Sequence, residues 1–180
     1  MINIVTEKDL VSELSQGLKN PPRIAIVDYV EPQVNYGFDA KPNFEYCREH
    51  NISCVDIGRR GGAFVVNKGD IGLGYVGEGL DNTIGEFVSA EFAKYLRNKG
   101  FDAIEESNDI LVDGYKVFGW ASHFYQEQDC IFITCHFTMS VDLELIANIC
   151  TKPMNKVPKG LAEFGITREE IIDFLNEILD

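Results

Sequence analysis

This sequence lacks the patterns that gather metal ligands. Among its five cysteines no CxxC pair occurs, and its three histidines, His50, His123 and His136, form no HxxxH pair. A structural zinc site is therefore not expected, and reduced thiols are. Positive charge is also scarce. Lys and Arg number 16 against 29 Asp and Glu, a net charge of −13. That excludes a basic footprint for nucleic acid and disfavours docking on an anionic membrane. No apolar run reaches the ~18 residues of a membrane span. The start, Met1-Ile-Asn-Ile-Val-Thr-Glu-Lys8, has no basic segment before an apolar stretch, so no signal peptide is expected and a cytoplasmic location is. Internal repeats, linker-like runs and low-complexity segments are missing too. What is present is ordinary for a globular chain: 180 residues, 45% hydrophobic and 25% charged. One domain over 1–180 is expected, long enough to bury about two thirds of its unfolded surface without a staple.

Hydrophobic periodicity orders the chain. Thr6-Glu-Lys-Asp9 opens a helix carrying Leu10, Val11, Leu14 and Leu18, which ends near Gly17–Pro21. Strands are expected at Arg23–Val30, Ile52–Ile57, Ala63–Val66 and Ile71–Val76, with a short helix over Pro42–His50. Thr83-Ile-Gly-Glu86 reads as a capping box for the longest helix, with Phe87, Val88, Phe92, Tyr95 and Leu96 inward and Gly100 as its stop. Strands follow at Ala103–Glu105, Asp109–Val112 and Lys116–Ala121, the last two joined by an Asp113-Gly114 hairpin turn. Cys130–Phe137 is a buried strand and Asp142–Ile149 a helix. Thr167-Arg-Glu-Glu170 is a second capping box, before a helix with Ile171, Ile172, Leu175, Ile178 and Leu179 inward. A regular βαβ alternation is lacking, so the class is α+β, a mainly antiparallel sheet flanked by helices.

Four constellations could carry chemistry. Gly72-Leu-Gly74-Tyr-Val-Gly77 matches GxGxxG, but its glycines alternate with Ile71, Leu73 and Tyr75 inside a strand and no helix starts at Gly77. It is therefore not a dinucleotide fingerprint. A strand with glycine at every second position has a bare face, for tight backbone packing or a pocket floor. Arg59-Arg60-Gly61-Gly62-Ala63 is either a surface turn or an anion cradle, since glycine admits backbone N–H groups and arginine offers a fixed fork. Lys116 lies in an apolar strand, either as an edge-strand lysine or as a cation facing a cleft. His136 ends a buried strand, as a satisfied core histidine would. Neighbours in a strand point to opposite faces, so Cys135 and His136 cannot form a dyad.

Three segments in this order resemble one family, the lipoate–protein ligases with their biotin ligase and octanoyltransferase relatives. Arg59-Arg60-Gly61-Gly62-Ala63 through Asp70 is similar to the family's arginine pair and glycine cluster before a strand. Ser107-Asn108-Asp109 through Lys116-Val-Phe-Gly119-Trp-Ala121 resembles its Asn-Asp strand, hairpin and Lys-x-x-Gly-x-Ala strand. His136-Phe-Thr138 through Asp142-Leu143 resembles its His-Gly-Thr strand followed by Asp-Leu and a helix. The resemblance runs over roughly residues 20 to 180 and implies a fold like that of class II aminoacyl-tRNA synthetases; one catalytic domain over 1–180 is expected, and as a departure from the family no C-terminal accessory domain is expected after it. It implies ATP and Mg2+ as cofactors. Lipoate or octanoate is activated as an acyl-adenylate, and the acyl group passes to a lysine of a lipoyl-type carrier domain, of an acyltransferase complex or the glycine cleavage H protein.

Carried over position by position, the resemblance makes Lys116 the catalytic cation. Arg60, Gly61, Gly62 and Ala63 line the acyl and phosphate pocket, and Gly72 and Gly74 floor the acyl tunnel. Gly119, Trp120, Ala121, His136 and Thr138 fall among the substrate-binding positions. Asn108 and Asp109 serve the nucleotide, Asp109 also its metal. Trp120 stands where relatives carry a small residue, and directed inward it would shorten the acyl pocket. Two other readings follow from the same resemblance: an acyltransferase that forms a thioester on Cys150, and a degenerate member that binds an acyl group or a carrier without turnover.

Overall fold

The structure is a computed structural model and describes residues 4–6, 21–56, 62–127, 129–152 and 154–179. The expected first helix, from Glu7 through Leu18, lies outside the described residues, as do Arg59, Arg60 and Gly61.

Ten strands are described. They are β1 (Ile4–Thr6), β2 (Arg23–Asp28), β3 (Gln33–Tyr36), β4 (Ser53–Asp56), β5 (Ala63–Val66), β6 (Ile71–Glu78), β7 (Ala103–Glu106), β8 (Asp109–Val112), β9 (Tyr115–Tyr125) and β10 (Cys130–Phe137). Four helices accompany them: α1 (Phe44–Glu49), α2 (Thr83–Asn98), α3 (Leu143–Ile149) and α4 (Arg168–Leu179), with a 3-10 turn at Leu161–Phe164. Seven strands form the main sheet in the order β1-β2-β6-β10-β9-β8-β7. Only its β1–β2 pair is parallel; the other neighbours are antiparallel. A second sheet has the order β4-β3-β5. This is the α+β architecture the sequence leads one to expect.

The helices α2 and α4 cover one face of the main sheet. Val88, Phe92, Ala93 and Leu96 of α2 and Ile171, Phe174 and Leu175 of α4 are buried against Ile110, Phe118, Ile133 and Phe137. Phe92 meets Phe137 edge-on at 4.9 Å between ring centroids, and Phe118 lies 4.9 Å from Phe137. Such pairs add specific geometry to simple area burial. Two expectations for α2 change. Phe87 is 40% exposed rather than inward. The helix begins at Asn82, without a side-chain cap, and the Asp81 carboxylate accepts the Thr83 N–H at 2.8 Å instead of a Thr83–Glu86 box forming. An acid one residue further out satisfies the same free donors. The box at α4 does form: Thr167 N–H donates to Glu170 and Glu170 N–H to the Thr167 hydroxyl.

The hairpin between β8 and β9 turns at Asp113 and Gly114, both with positive φ (51° and 82°). This is the twist that two-residue hairpins favour. Just beyond it the ladder slips. Leu111 pairs with Lys116 and Ile110 with Phe118, leaving Val117 as an extra residue.

Candidate functional site

The opposite face of the main sheet carries small and polar residues. In the antiparallel register Gly119 faces His136 and Ala121 faces Thr134, and all four line a cleft of about 640 Å3. That volume suits a small organic ligand. Ala63, Phe64 and Val65 of β5 form one wall; Val141, Ile146 and Cys150, around α3, form another. Met154, Asn155, Lys156 and Pro158 belong to a strap that closes one side.

Lys116 reaches this cleft only because of the extra residue at Val117. Regular alternation would put Lys116 on the face of Phe118 and Trp120, among the helices. The bulge instead buries both Val117 and Phe118 in the core and turns Lys116 to the side of Gly119. The Lys116 ammonium lies 2.7 Å from Asp109 Oδ1. A Cβ at Gly119 would stand 2.8 Å from that oxygen and 3.0 Å from Lys116 Nζ, so glycine is what lets the ion pair lie flat on the strand.

Asp109 holds a second cation. Lys156 Nζ lies 2.8 Å from its Oδ2 and 3.3 Å from the Glu106 carbonyl oxygen. Burial alone would raise the Asp109 carboxyl, but the Lys116 and Lys156 ammonium groups outweigh it and hold it below the ordinary carboxylate range. Lys156 in turn is pushed up, because Asp109 and Glu106 outweigh the opposing effect of burial. The strap is fixed to β9 at the same point. Lys116 N–H donates to the Val157 carbonyl (2.9 Å), and Lys159 N–H donates to the Lys116 carbonyl (3.0 Å).

This arrangement does not suit Asp109 to the metal role expected of it. Both of its oxygens are bonded to ammonium groups. Among the described residues no group of three or more His, Cys, Asp or Glu could hold a metal ion. A magnesium site built by protein carboxylates would need oxygen donors that this corner fills with cations.

The remaining expected residues divide. Gly62, Ala63, Gly119, Ala121, His136 and Thr138 all line the cleft. Gly72 and Gly74 share its face of the sheet, paired with His136 and Thr134, but lie outside the lining. A Cβ at Gly72 would meet the Tyr29 ring at 3.0 Å, so the ring already occupies its bare face. Asn108 is exposed in the β7–β8 turn, and its carbonyl accepts the Trp120 N–H at 2.9 Å. Trp120 corrects the sequence reading. It pairs with buried Cys135, and its ring lies over Gly85 of α2, where a Cβ would be 2.6 Å from Cε3. The indole therefore packs on the helical face, while Trp120 is also among the residues that line the cleft.

Two side chains escaped the sequence reading. Lys156 sits in a stretch without periodicity, and nothing local marks it; its role arises from the pairing of Pro158 with Lys116. Asp70 stands in the sequence within Asn67-Lys68-Gly69-Asp70, a turn between the expected strands Ala63–Val66 and Ile71–Val76. Folded, it is wholly buried and accepts from Asn67 N–H (2.8 Å), Met139 N–H (2.7 Å), Ser140 N–H (3.3 Å) and His136 Nε2 (3.0 Å). Neither Cys150, which lines the cleft, nor Cys135 is set up as a nucleophile. Cys150 donates to the Ala63 carbonyl at 3.5 Å and burial pushes its thiol up. Cys135 points into the core, and burial pushes it up further.

No protein-family model and no curated protein matches this sequence. Solved structures do match in three dimensions. LipL1 of P. falciparum, in complex with lipoate, superposes with a TM-score of 0.73 at 16% identity, over 99% of this chain and 61% of that one. The chain thus spans about three fifths of that protein. A bi-partite lipoate protein ligase from Thermoplasma acidophilum, described with its E2 lipoyl domain, gives 0.73 at 16% identity, over 98% and 81%. A lipoate-protein ligase A bound with ATP gives 0.69 at 17%, over 99% and 84%. Biotin ligases match more loosely, at 0.53 and 0.56. The chain therefore has the catalytic-domain fold of the lipoate–protein ligases, with the biotin ligases standing further off.

Proposed function

We propose that this chain is an acyl-activating ligase: the carboxylate of a medium-chain acid, lipoate or octanoate, displaces pyrophosphate from the α-phosphorus of ATP to give the acyl-adenylate, and the acyl group then passes to a lysine of a lipoyl-type carrier domain with release of AMP. The observation that carries this reading is Lys116, an ammonium held on the floor of an otherwise largely apolar cleft by a bulge and a glycine. Attack of a carboxylate on the α-phosphorus, and later loss of AMP, both build negative charge that a fixed cation stabilises. The walls of Val65, Val141, Ile146 and Met154 suit an aliphatic chain. The strap over Lys116 keeps water from a mixed anhydride. ATP and a lipoyl domain accompany the structural neighbours above and agree with this chemistry. Asp109 serves here as the counter-ion of two lysines, and no step is assigned to a metal held by it.

The thioester route through Cys150 has weaker support, because a nucleophilic thiol needs a neighbour that lowers its pKa and burial raises this one. Mass spectrometry of an apo lipoyl domain incubated with the protein, lipoate, ATP and magnesium chloride tests the assignment. A mass gain of one lipoyl group that vanishes without ATP is expected, with Cys150→Ser within about threefold of the unaltered rate. Transfer from an octanoyl thioester without ATP, lost in Cys150→Ser, would replace the ligase with the transferase. Ligand binding without any transfer would make the chain a binder only.

A further inference from the structure

We infer that His136, oriented by the buried carboxylate of Asp70, is the base that takes the proton from the attacking lysine of the carrier. This rests on the ligase reading above and adds a catalytic residue to it.

In the transfer half-reaction a neutral amine nitrogen forms its bond to the acyl carbon, and the bond from that carbon to the phosphate oxygen breaks, so AMP leaves with the electron pair. The nitrogen must then lose a proton, and the cleft needs a group to accept it near Lys116. His136 is placed for this. It sits directly across the sheet from Gly119, where opposed Cβ positions lie roughly 4.5–5.5 Å apart. The Lys116 ammonium lies 3.0 Å from the Cβ position of that same glycine. The Cβ position of Gly119 thus neighbours the Lys116 ammonium on its own strand and the His136 position on the next.

The titratable groups facing this part of the cleft come from every element around it. They are Tyr29 beyond β2, Asp70 between β5 and β6, Asp109 of β8, Lys116 of β9, Cys150 after α3 and Lys156 of the strap. Lys116 and Lys156 are cations, with no lone pair to offer while paired to Asp109. Asp109 is a poor proton acceptor between two ammonium groups. Cys150 keeps its proton because burial disfavours the thiolate. Tyr29 is 8% exposed, with its hydroxyl turned over Gly72. Imidazole is the side chain whose ordinary titration falls near neutral pH.

The orientation of the ring is set from below. Nε2 lies 3.0 Å from Asp70 Oδ2, and three backbone N–H groups occupy the rest of that carboxylate. Asp70 is therefore an acceptor only, and Nε2 must carry the proton. Nδ1 is then the basic nitrogen, and among the described residues it has no hydrogen-bond partner. Accepting a proton at Nδ1 makes an imidazolium that the Asp70 carboxylate stabilises, after which the proton passes to solvent. Asp70 acts as a positioning residue; it touches no substrate.

Single-turnover kinetics with preformed lipoyl-adenylate and an apo lipoyl domain, measured from pH 5.5 to 9 alongside adenylate formation from lipoate and ATP, tests this. In the unaltered protein, transfer should rise with pH through one titration. His136→Gln should lower transfer at least about 100-fold, the usual scale of general-base catalysis, and by far more than it lowers adenylate formation. Asp70→Asn should move the titration to lower pH, and imidazole 15N spectra should lose the pure Nε2–H tautomer. Wild-type transfer by His136→Gln would overturn the base assignment while leaving the ligase intact. Equal losses in both half-reactions would also overturn it, showing a structural role. An unaltered protein that neither forms nor consumes the adenylate would overturn the ligase reading and this inference together. The His136 arm remains decisive if Asp70→Asn fails to fold.

Discussion

The two faces of the main sheet differ in what they are made to do. One is filled with rings: Phe92, Phe118, Phe137 and Phe174 interlock beneath α2 and α4, each 5% exposed or less. The other presents Gly119, Ala121, Thr134 and His136, with one ion pair lying across them. The same strands supply both. The first face gains stability from packed volume, and the second gains an open floor by leaving volume out. Stability and chemistry can therefore be perturbed separately in one strand, β9.

Phe118→Ala should show the largest effect. Removing a fully buried ring costs about 3–5 kcal/mol, read as a large drop in urea midpoint. Any activity that survives per folded molecule should be unchanged. Lys116→Ala, two residues away, should do the reverse. Losing one charge-stabilising group lowers transfer about 100–1000-fold, while the melting temperature hardly moves. A Lys116→Ala protein with full transfer would remove that residue from the chemistry. Trp120→Ser comes next and decides which face the indole serves. A loss of about 3 kcal/mol in stability is expected for a half-buried ring over Gly85, with no change in preferred acyl-chain length. Altered chain-length preference would return Trp120 to the cleft. Smallest is Asp109→Asn. Its native carboxyl is held below the unfolded value of about 3.9, so the tie to Lys116 and Lys156 contributes fully above that pH and is lost as pH falls through the lower native value. The pair is partly solvated, so about 1 kcal/mol is expected. Urea titrations should show the variant less stable than the parent at pH 6, with the difference shrinking as pH falls below about 4.

Much of this fold is written in local pattern. β5 and β10 appear at the bounds their apolar runs predict, and Asp113-Gly114 turns where the pair favours a turn. The candidate site is less legible, because its decisive features are non-local. A period of two assigns faces along a strand, and one bulged residue reverses the assignment on either side of it. Lys116 and Trp120 follow that reversal: read by alternation they share a face, and in the fold they lie on opposite ones. Gly72 failed as a pocket floor for a similar reason, since the ring that fills its bare face comes from Tyr29, more than forty positions earlier in the chain. Asp70 could be recognised only once β6 and β10 were in register.

The strap beside β9 has a dynamic consequence. β10 ends at Phe137, and from there the segment Val157–Lys159 takes its place along β9, holding both the N–H and the C=O of Lys116. Access through that side of the cleft requires the strap to lift, and lifting it frees the two hydrogen bonds at once. The amide protons of Lys116 and Lys159 should then exchange with solvent at one common rate, set by a single local opening. A bound acyl-adenylate that clamps Lys116 and Lys156 would slow both together, so two backbone amides would report how often this side of the site opens.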